Sequence, residues 1–525
     1  MKIGFKRLLA VSITVLLILL QSFFVNASAE ESVLPQSTPL IIKTAIADGE
    51  IELTDELIRK LNICDTLYNG FYGLETRIDI SELKLAKTQE DYDLLRECLT
   101  LVTDHPDLFI ARDSFIKNGV SLYSLSDSKY YSQIGINYLE NSVNANNQKI
   151  FDRELALSQI EEYEKLTKEI ADKVPKDITD IEKLLFLYDY IALNFEYDTE
   201  LKDDSHDVYH FLINKMGVCD AYSKTFNKVV GILGIPTAQA VSDVDAHAWT
   251  IVKIGEKYYH IDSTWADPTP DMSGLVNHSC FLKSTSAFPT NQNGYGHRDW
   301  YLRESFLGLD VECEDNTYDN GYIWNDAVTP FGYYNGEYYY IDDLTAENQA
   351  VETGKVSAVI RKTKDFLNAT DVLNIDTSIW LDTSNSYLLQ NYNSGLYMVG
   401  SQIYYNDSKN LMYYDVENGN SGTVFTVENS NITDFNYLGN GDFEYNEFSV
   451  VNGKVVFTKK HYILSDMGSM LNENEASYSA NLVSMRKYIS DGYSENVCLL
   501  KADLSGYDGK VDVRDLVVLK KLAIS

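Results

Sequence analysis

The stretch from Gly217 to Pro236 decides the fold: Gly-Val-Cys-Asp-Ala-Tyr-Ser-Lys-Thr-Phe-Asn-Lys-Val-Val-Gly-Ile-Leu-Gly-Ile-Pro. Apolar residues recur at helical spacing and predict a helix that opens at Cys219; its buried stripe is Tyr222, Phe226, Val229, Val230 and Leu233. Gly234 and Pro236 end it. A thiol in the first turn faces free N–H groups and the positive dipole end, which favours a reactive thiolate. Asp220 opposes this effect, so a further partner is needed; the alternative is an inert buried thiol.

Two strands downstream predict a hairpin that brings a histidine and a carboxylate together. They alternate on either side of a two-residue turn at Gly255-Glu256, which places His247 opposite Thr264. Asp262 lies two residues from Thr264, on the same face as His247. Such diagonal neighbours are about 7–8 Å apart at the backbone, within side-chain reach. A turn shifted by one residue would pair the histidine and the aspartate directly without changing the face.

A cysteine, a histidine and a carboxylate in this order predict nucleophilic acyl transfer. His247 would take the thiol proton, Asp262 would hold the histidine tautomer, and Cys219 would attack an acyl carbon to form a thioester. Three alternatives stay open. His247 could be a hydrogen-bonded strand histidine, the three residues could ligate zinc although paired ligand spacing is missing, or the triad could be idle in a binding module.

Three motifs resemble the core motifs of the transglutaminase-like superfamily in order and spacing: Gly217-Val-Cys219, Ala246-His-Ala-Trp249 and His260-Ile-Asp-Ser-Thr-Trp-Ala-Asp-Pro268. The resemblance implies an α+β, papain-like core with a nucleophile helix packed on an antiparallel sheet. It implies catalytic roles for Cys219, His247 and Asp262 without a cofactor, and cleft-supporting roles for Trp249, Trp265 and Asp267. The superfamily contains cross-linking enzymes, peptidases and inactive scaffolds, so the acceptor, an amine or water, stays open.

Composition excludes some classes of partner. The 525 residues include 44 Lys+Arg and 78 Asp+Glu, a formal net charge of −34. Nucleic-acid binding needs a basic patch, so this balance argues against it and disfavours docking to anionic lipid. A hydrophobic content of 45% suffices for packed cores, and the length predicts three or four structural units.

The first 29 residues have the pattern of a secretory signal peptide. Lys2, Lys6 and Arg7 precede an apolar stretch from Leu8 to Val25, and Ala27-Ser-Ala29 fits a cleavage site. An uncleaved membrane anchor is the alternative. We therefore expect a secreted, extracellular protein without a membrane segment after cleavage. Six cysteines are too few to frame so long a chain with disulfides.

Changes in composition predict five parts. These are a signal peptide (1–29), a mixed helical and strand region (30–165), the catalytic core (166–312), a Tyr/Asn-rich all-β region (313–462) and a tail (463–525). Hairpins in the β region turn at Asn335-Gly336 and Asn452-Gly453 and favour a propeller fragment or a sandwich. Its tyrosines could bind sugar or peptide, although tyrosine is also common in half-exposed strands.

The tail contains an internal repeat. Residues 481–489 and 515–523 are similar amphipathic segments 34 residues apart. Between them, residues 503–515 approach a calcium loop of the EF-hand type, which predicts Ca²⁺ at Asp503, Ser505, Asp508 and Asp515. The paired arrangement resembles a diverged dockerin, which implies binding to a cohesin module of a scaffoldin. Both loops depart from the dockerin pattern, and an accidental acidic loop is the alternative.

Together these features favour a secreted thiol enzyme acting on an amide carbonyl of a protein or peptide. It would be a cysteine peptidase or a protein-glutamine γ-glutamyltransferase-like enzyme, tethered through its tail to an assembly such as a cellulosome. The alternative is a non-catalytic binding or scaffold module of an extracellular polysaccharide-degrading complex.

Overall fold

The computed structural model describes residues 34–522 except 203, 270, 272–273, 290–295, 328, 344–354, 379, 382–386, 389–394, 408, 428–431, 452–453, 465–477, 492–497 and 506–508. The predicted signal peptide and the predicted turn at 452–453 therefore lie outside the described residues. Within this part of the chain, none of the helices has the length and apolar character needed to cross a bilayer.

Helices dominate the first half of the chain and return at its end. In order they are α1 (Leu40–Ala47), α2 (Asp55–Tyr72), α3 (Gln89–Thr103), α4 (Phe109–Asn118), α5 (Arg153–Lys173), α6 (Asp180–Asn194), α7 (Val208–Asn214), α8 (Cys219–Ile232), α9 (Tyr478–Asp491) and α10 (Val513–Leu522). Side-chain caps fix several starts; at α6, Thr179 and Glu182 form a capping box that satisfies amides the helix leaves unpaired.

The first strands are β1 (Arg77–Asp79), β2 (Val120–Tyr123), β3 (Gln133–Ile136), β4 (Ser142–Val143), β5 (Lys149–Ile150), β6 (Glu196–Tyr197), β7 (Met216–Gly217), β8 (Thr237–Ser242), β9 (His247–Ile254), β10 (Lys257–Ile261) and β11 (Tyr301–Leu302). Those after residue 330 are β12 (Gly332–Tyr334), β13 (Glu337–Asp343), β14 (Lys355–Thr363), β15 (Ala369–Ser378), β16 (Trp380–Leu381), β17 (Tyr387–Leu388), β18 (Leu396–Val399), β19 (Gln402–Asp407), β20 (Asn410–Asp415), β21 (Ser421–Thr426), β22 (Ile432–Gly439), β23 (Asp442–Val451) and β24 (Lys454–Ile463).

The sheet that positions the site has the order β10-β9-β8-β11. Lys257 pairs with Ile254, which confirms the predicted hairpin register and its turn at Gly255-Glu256. Strand β10 ends at Ile261, and the amide of Asp262 donates a hydrogen bond to the carbonyl of Cys280 at 3.1 Å. Helix α8 packs against β8 and β9. This mixed α+β arrangement is the one the sequence predicts.

Helix α8 buries four of the five residues of the predicted stripe; the fifth, Leu233, follows the end of the helix and is half-buried. Tyr222, Phe226, Val229 and Val230 are all 0% exposed. They belong to one apolar core with α5, α6 and α7. Because α5, α6, α7 and strands β8 and β9 all pack against α8, the first turn of α8 is held in place beside the β9–β10 hairpin.

After residue 330 the chain forms antiparallel sheets whose strands follow sequence order, β12–β15, β18–β21 and β22–β24. The predicted turn at Asn335-Gly336 is confirmed, with φ of +51° and +79° at its two residues as a type I′ turn requires. Helices α9 and α10 pack on this region: Met485 and Leu519 share a core with Tyr404 and Phe443. The tail is therefore packed on the β region, and its separation at residue 463 stays a prediction.

Candidate active site

Cys219 is the first residue of α8 and is 8% exposed. The residue before it, Val218, caps the helix without a side-chain hydrogen bond because valine has no acceptor. No side chain therefore caps the start of this helix. This geometry leaves the amides of the first turn available to a developing negative charge beside the thiol.

The structure brings the three predicted catalytic residues together. His247 Nε2 lies 2.7 Å from Asp262 Oδ2, and Cys219, at the start of α8, lies close enough to interact with the His247 ring. Burial alone would lower the pKa of His247, but the Asp262 carboxylate and the thiol outweigh burial and raise it to about 10. His247 is thus held as the imidazolium that a thiolate needs beside it.

Asp262 is a fully buried carboxylate, 0% exposed. Burial alone would raise its pKa, but His247 and His297 hold the pKa well below its usual range. Its second oxygen accepts the backbone amide of Thr264 at 2.9 Å. Asp262 is therefore ionised and orients His247 from a rigid position.

His297 was missed by the sequence analysis. Its Nε2 lies 2.9 Å from Asp262 Oδ2 and its Nδ1 lies 2.6 Å from the carbonyl oxygen of Pro289. It follows Asp262 by 35 residues, outside every motif quoted above, so no spacing in the sequence pointed to it. Only the return of the chain along β11, which pairs with β8, brings it to the site.

The two predicted cleft tryptophans surround the histidines. Trp249 is 0% exposed, and its indole N–H donates to His260 Nδ1 at 2.9 Å. The Trp249 ring lies 5.6 Å from the His247 ring, and the Trp265 ring lies 6.4 Å from it. These rings exclude water from the back of His247 and limit its rotation.

Asp267, the third predicted cleft residue, is buried and accepts a hydrogen bond from the Tyr222 hydroxyl. Its pKa is raised to about 8: burial raises it most, the charges of Asp271 and Glu196 add to that shift, and the Tyr222 hydroxyl partly opposes it. At neutral pH its carboxyl group is therefore mostly protonated. Asp267 and His247 both line a cavity of about 360 Å³.

The carboxylate of Asp220, whose negative charge disfavours a thiolate at Cys219, is paired with side chains from several elements. Arg112 of α4 contacts Asp220 Oδ2 at 2.6 Å, and Lys224 contacts Oδ1 at 3.2 Å. Gln239 of β8 donates to the same carboxylate. The buried Lys224 also binds Asp104 at 2.6 Å, so this network joins the N-terminal helices to the nucleophile helix.

Among the described residues, one group of side chains has ligand atoms close enough for a metal ion: His247, Asp262 and His297, within 4.8 Å of one another. Cys219 is not part of it. All six cysteines lie in the described residues, and all are buried and outside any disulfide.

In the tail, the loop before α10 closes on Asp515. Asp515 Oδ1 accepts the amides of Leu504 and Ser505 at 2.8 and 2.7 Å. Asp503 Oδ2 accepts the amide of Gly509 at 3.0 Å. Three of the four predicted calcium ligands thus lie in one loop, and Asp508 lies outside the described residues. Calcium binding there stays a prediction.

We expect Arg112→Met to destabilise the protein by about 1–3 kcal/mol, because it leaves the largely shielded carboxylate of Asp220 short of one partner. Equilibrium unfolding in urea measures the change. Lys165→Met, which removes an exposed cation paired with Glu169, is the matched control and should change stability by less than about 0.5 kcal/mol. Equal losses of stability for the two substitutions would show that the Arg112–Asp220 contact contributes no more than an exposed ion pair.

We expect Asp267→Asn to stabilise the protein increasingly between about pH 4 and pH 8. An unfolded aspartate ionises near pH ~3.9, whereas the folded pKa is about 8, so the folded state must hold a proton over this window. The amide needs no proton and can still accept the Tyr222 hydroxyl. Melting temperatures at pH 4, 6 and 8 test this, with Asp310→Asn as the exposed control. A difference that stays constant with pH would contradict it.

Known proteins resemble part of this chain. The model of the transglutaminase-like superfamily matches residues 164–263. No curated protein matches the chain. A candidate cysteine protease from Cytophaga hutchinsonii is 14% identical, with a TM-score of 0.18, over 29% of this chain and 63% of its own. A structure described as a TGase is 19% identical, with a TM-score of 0.19, over 28% and 43%.

The chain spans less than two thirds of either solved structure, and TM-scores this low add nothing to the family match. The matched residues contain helices α6, α7 and α8 and the β8–β10 strands, together with Cys219, His247 and Asp262. Residues 164–263 therefore form a transglutaminase-like domain.

Proposed function

We propose that the protein is a thiol acyl-transfer enzyme whose Cys219 attacks an amide carbonyl of a protein or peptide. The observation that carries this proposal is the 2.7 Å contact between His247 and the buried carboxylate of Asp262, with Cys219 beside the His247 ring. The open cavity beside His247, lined also by Tyr197 and Trp265, offers a place for the substrate.

In this mechanism His247 holds the proton that leaves the thiol, and the thiolate adds to the carbonyl carbon. The carbonyl oxygen takes up the negative charge, and the Cys219 amide at the helix start is a donor suited to it. His247 then gives its proton to the leaving amine, and the C–N bond breaks. The product is a thioester on Cys219 and a free amine, or ammonia when the substrate is a glutamine side chain.

The second half of the reaction decides the class of enzyme. His247 takes a proton from water or from a primary amine, which attacks the thioester and releases Cys219. Water gives hydrolysis, as in a peptidase, and an amine gives a new amide, as in a cross-linking enzyme. Asp262 stays ionised throughout and keeps the His247 ring oriented.

We further propose that the protein is secreted and docked to an extracellular assembly. The signal-like N-terminus supports secretion, and the repeated helices of the tail support binding to a cohesin module, with Ca²⁺ held by Asp503, Ser505, Asp508 and Asp515. The closed loop on Asp515 supports the loop part of this proposal. Catalysis itself needs no cofactor in this scheme.

We expect Cys219→Ala to abolish both peptide hydrolysis and amine incorporation, because no other group of the site can form the thioester. The protein is incubated with a protein mixture and a labelled primary amine. Mass spectrometry then counts new peptide termini and labelled glutamines separately. Cleavage identifies a peptidase, and incorporation identifies a transglutaminase.

Cys313→Ala is the matched control, since Cys313 is buried outside the site and burial raises its pKa to about 12. It should keep activity. Activity that survives in Cys219→Ala would overturn the proposal. Glycan or peptide binding that is unaffected by Cys219→Ala, with no turnover in the wild type, would instead identify a binding module.

We expect Ca²⁺ to raise the melting temperature of the tail and EDTA to reverse this, because a cation would neutralise the acidic loop. Calorimetry against a cohesin module, with and without EDTA, measures binding. Asp503→Asn should weaken both effects. An identical melting curve in Ca²⁺ and EDTA would remove calcium from the proposal, and absence of binding would remove the cohesin.

A further inference from the structure

The two ring nitrogens of His297 both face oxygen atoms that can only accept. Nδ1 lies 2.6 Å from the carbonyl oxygen of Pro289, and a carbonyl has no proton to give. Nε2 lies 2.9 Å from Asp262 Oδ2. That same oxygen is 2.7 Å from His247, so the ionised Asp262 accepts from both rings. Each His297 nitrogen must therefore carry a proton for both contacts to form.

The neighbouring His260 is held in the opposite state. Its Nδ1 accepts the indole N–H of Trp249 at 2.9 Å, so that nitrogen has no proton. Its Nε2 lies 2.9 Å from the hydroxyl of Thr285. Burial, helped by the nearby His297, lowers the pKa of His260 to about 3. One aromatic cluster thus holds a neutral histidine beside a doubly protonated one.

The charges of the site balance only when His297 is counted. A Cys219 thiolate, a His247 imidazolium and an Asp262 carboxylate together carry one net negative charge. The imidazolium of His297 brings the buried set of four groups to zero. Buried charge is stable only when it is paired, and the chain as a whole is strongly acidic, with a net charge of −34.

We propose that His297 is a positioning residue of the active site: an imidazole behind Asp262 that donates from both ring nitrogens, fixes this carboxylate and offsets part of its charge. The proposal rests on the proposed function of Cys219 and His247. Without His297, the full charge of Asp262 would act on the Cys219 thiolate, and the thiolate would lose a nearby positive charge. Both changes would move formation of the thiolate to higher pH.

The segment around His297 is built to hold it. The next residue, Arg298, donates from Nε and from its terminal nitrogen to Asp245 at 3.0 and 2.6 Å, on the loop before β9. Ser242 donates its hydroxyl to the carbonyl of Arg298. The ring of His297 lies 3.8 Å from the ring of Phe288 and 4.7 Å from that of Trp265. A side chain placed this tightly cannot swing away from Asp262.

The titratable groups that face His297 are few. Asp262 and His247 lie in front of it, with the His247 ring 5.2 Å away, and His260 lies in the same aromatic cluster. Asp245 and Arg298 beside it form a pair that balances itself. His297 is 8% exposed, so solvent screens these interactions little.

A metal ion shared by His247, Asp262 and His297 is the competing interpretation of the same group. Metal–ligand bonds of about 2.0–2.2 Å would place neighbouring ligand atoms roughly 3 Å or more apart. The observed 2.7 and 2.9 Å instead match charge-assisted N–H···O hydrogen bonds. The geometry therefore favours protons between these atoms.

The test is the pH dependence of Cys219 alkylation by iodoacetamide, which needs no knowledge of the substrate. Mass spectrometry of the peptide containing Cys219 gives the rate in wild type and His297→Gln. Glutamine keeps a donor for Asp262 but carries no charge. We expect the pH of half-maximal rate to move up by about one unit. This is the size expected for loss of a charge on a ring whose centre lies 5.2 Å from that of His247.

His260→Gln is the matched control, since it removes a neutral histidine from the same aromatic cluster. It should lower the melting temperature without moving the midpoint. Equal midpoints for His297→Gln and wild type would overturn the proposal. A wild-type rate that shows no low-pH thiolate at all would instead contradict the proposed function of the triad.

Two further measurements begin with the wild-type protein. The ¹⁵N spectrum of histidine-labelled wild type has only eight histidines to assign. Both ring nitrogens of His297 should carry a proton, as their two acceptor oxygens require; a bare nitrogen would overturn the proposal. Wild-type alkylation is also measured with Zn²⁺ and with EDTA. Inhibition by Zn²⁺ that disappears in His297→Gln would identify a metal site and overturn it.

Discussion

The site depends on one buried anion. Asp262 is excluded from water, and a carboxylate there is tolerated only if charged and polar partners surround it. His247 and His297 approach the same oxygen, and the backbone at Thr264 binds the other. Strand β9, the end of β10 and the return along β11 must therefore meet at one point. This constraint also orients the imidazole of His247.

Ion pairs also join the transglutaminase-like domain to the helices that precede it in the chain. Asp220 sits beside the thiol at the start of α8 and would disfavour a thiolate. Arg112, from a helix outside the matched residues 164–263, neutralises it together with Lys224. On the other side, Lys459 of β24 contacts Glu196 at the strand that carries Tyr197. The transglutaminase-like domain therefore forms ion pairs with the segments before and after it. Its charges are balanced in part by residues outside 164–263.

Local patterns predicted the parts that obey local rules. The helix at Cys219 follows from a 3.6-residue apolar stripe, and the hairpin register follows from a two-residue turn and the alternation of strands. The same register predicts that His247 and Asp262 lie on one face. His297 and Arg112 obey no such rule, because their contacts span 35 and 108 residues of chain. The tail shows the same limit: its helices were predictable, but their packing on Tyr404 was not.

The sequence by itself predicted which cysteine, histidine and carboxylate meet, since their order and spacing follow from one helix and one hairpin. It also determined the α+β character of residues 164–263. Only the tertiary structure decided the charge state of the site. Protonation depends on which atoms lie within about 3 Å of each nitrogen or oxygen, and those atoms come from distant segments. Three neighbouring histidines, 247, 260 and 297, have the same side chain and differ only in what the fold places against them.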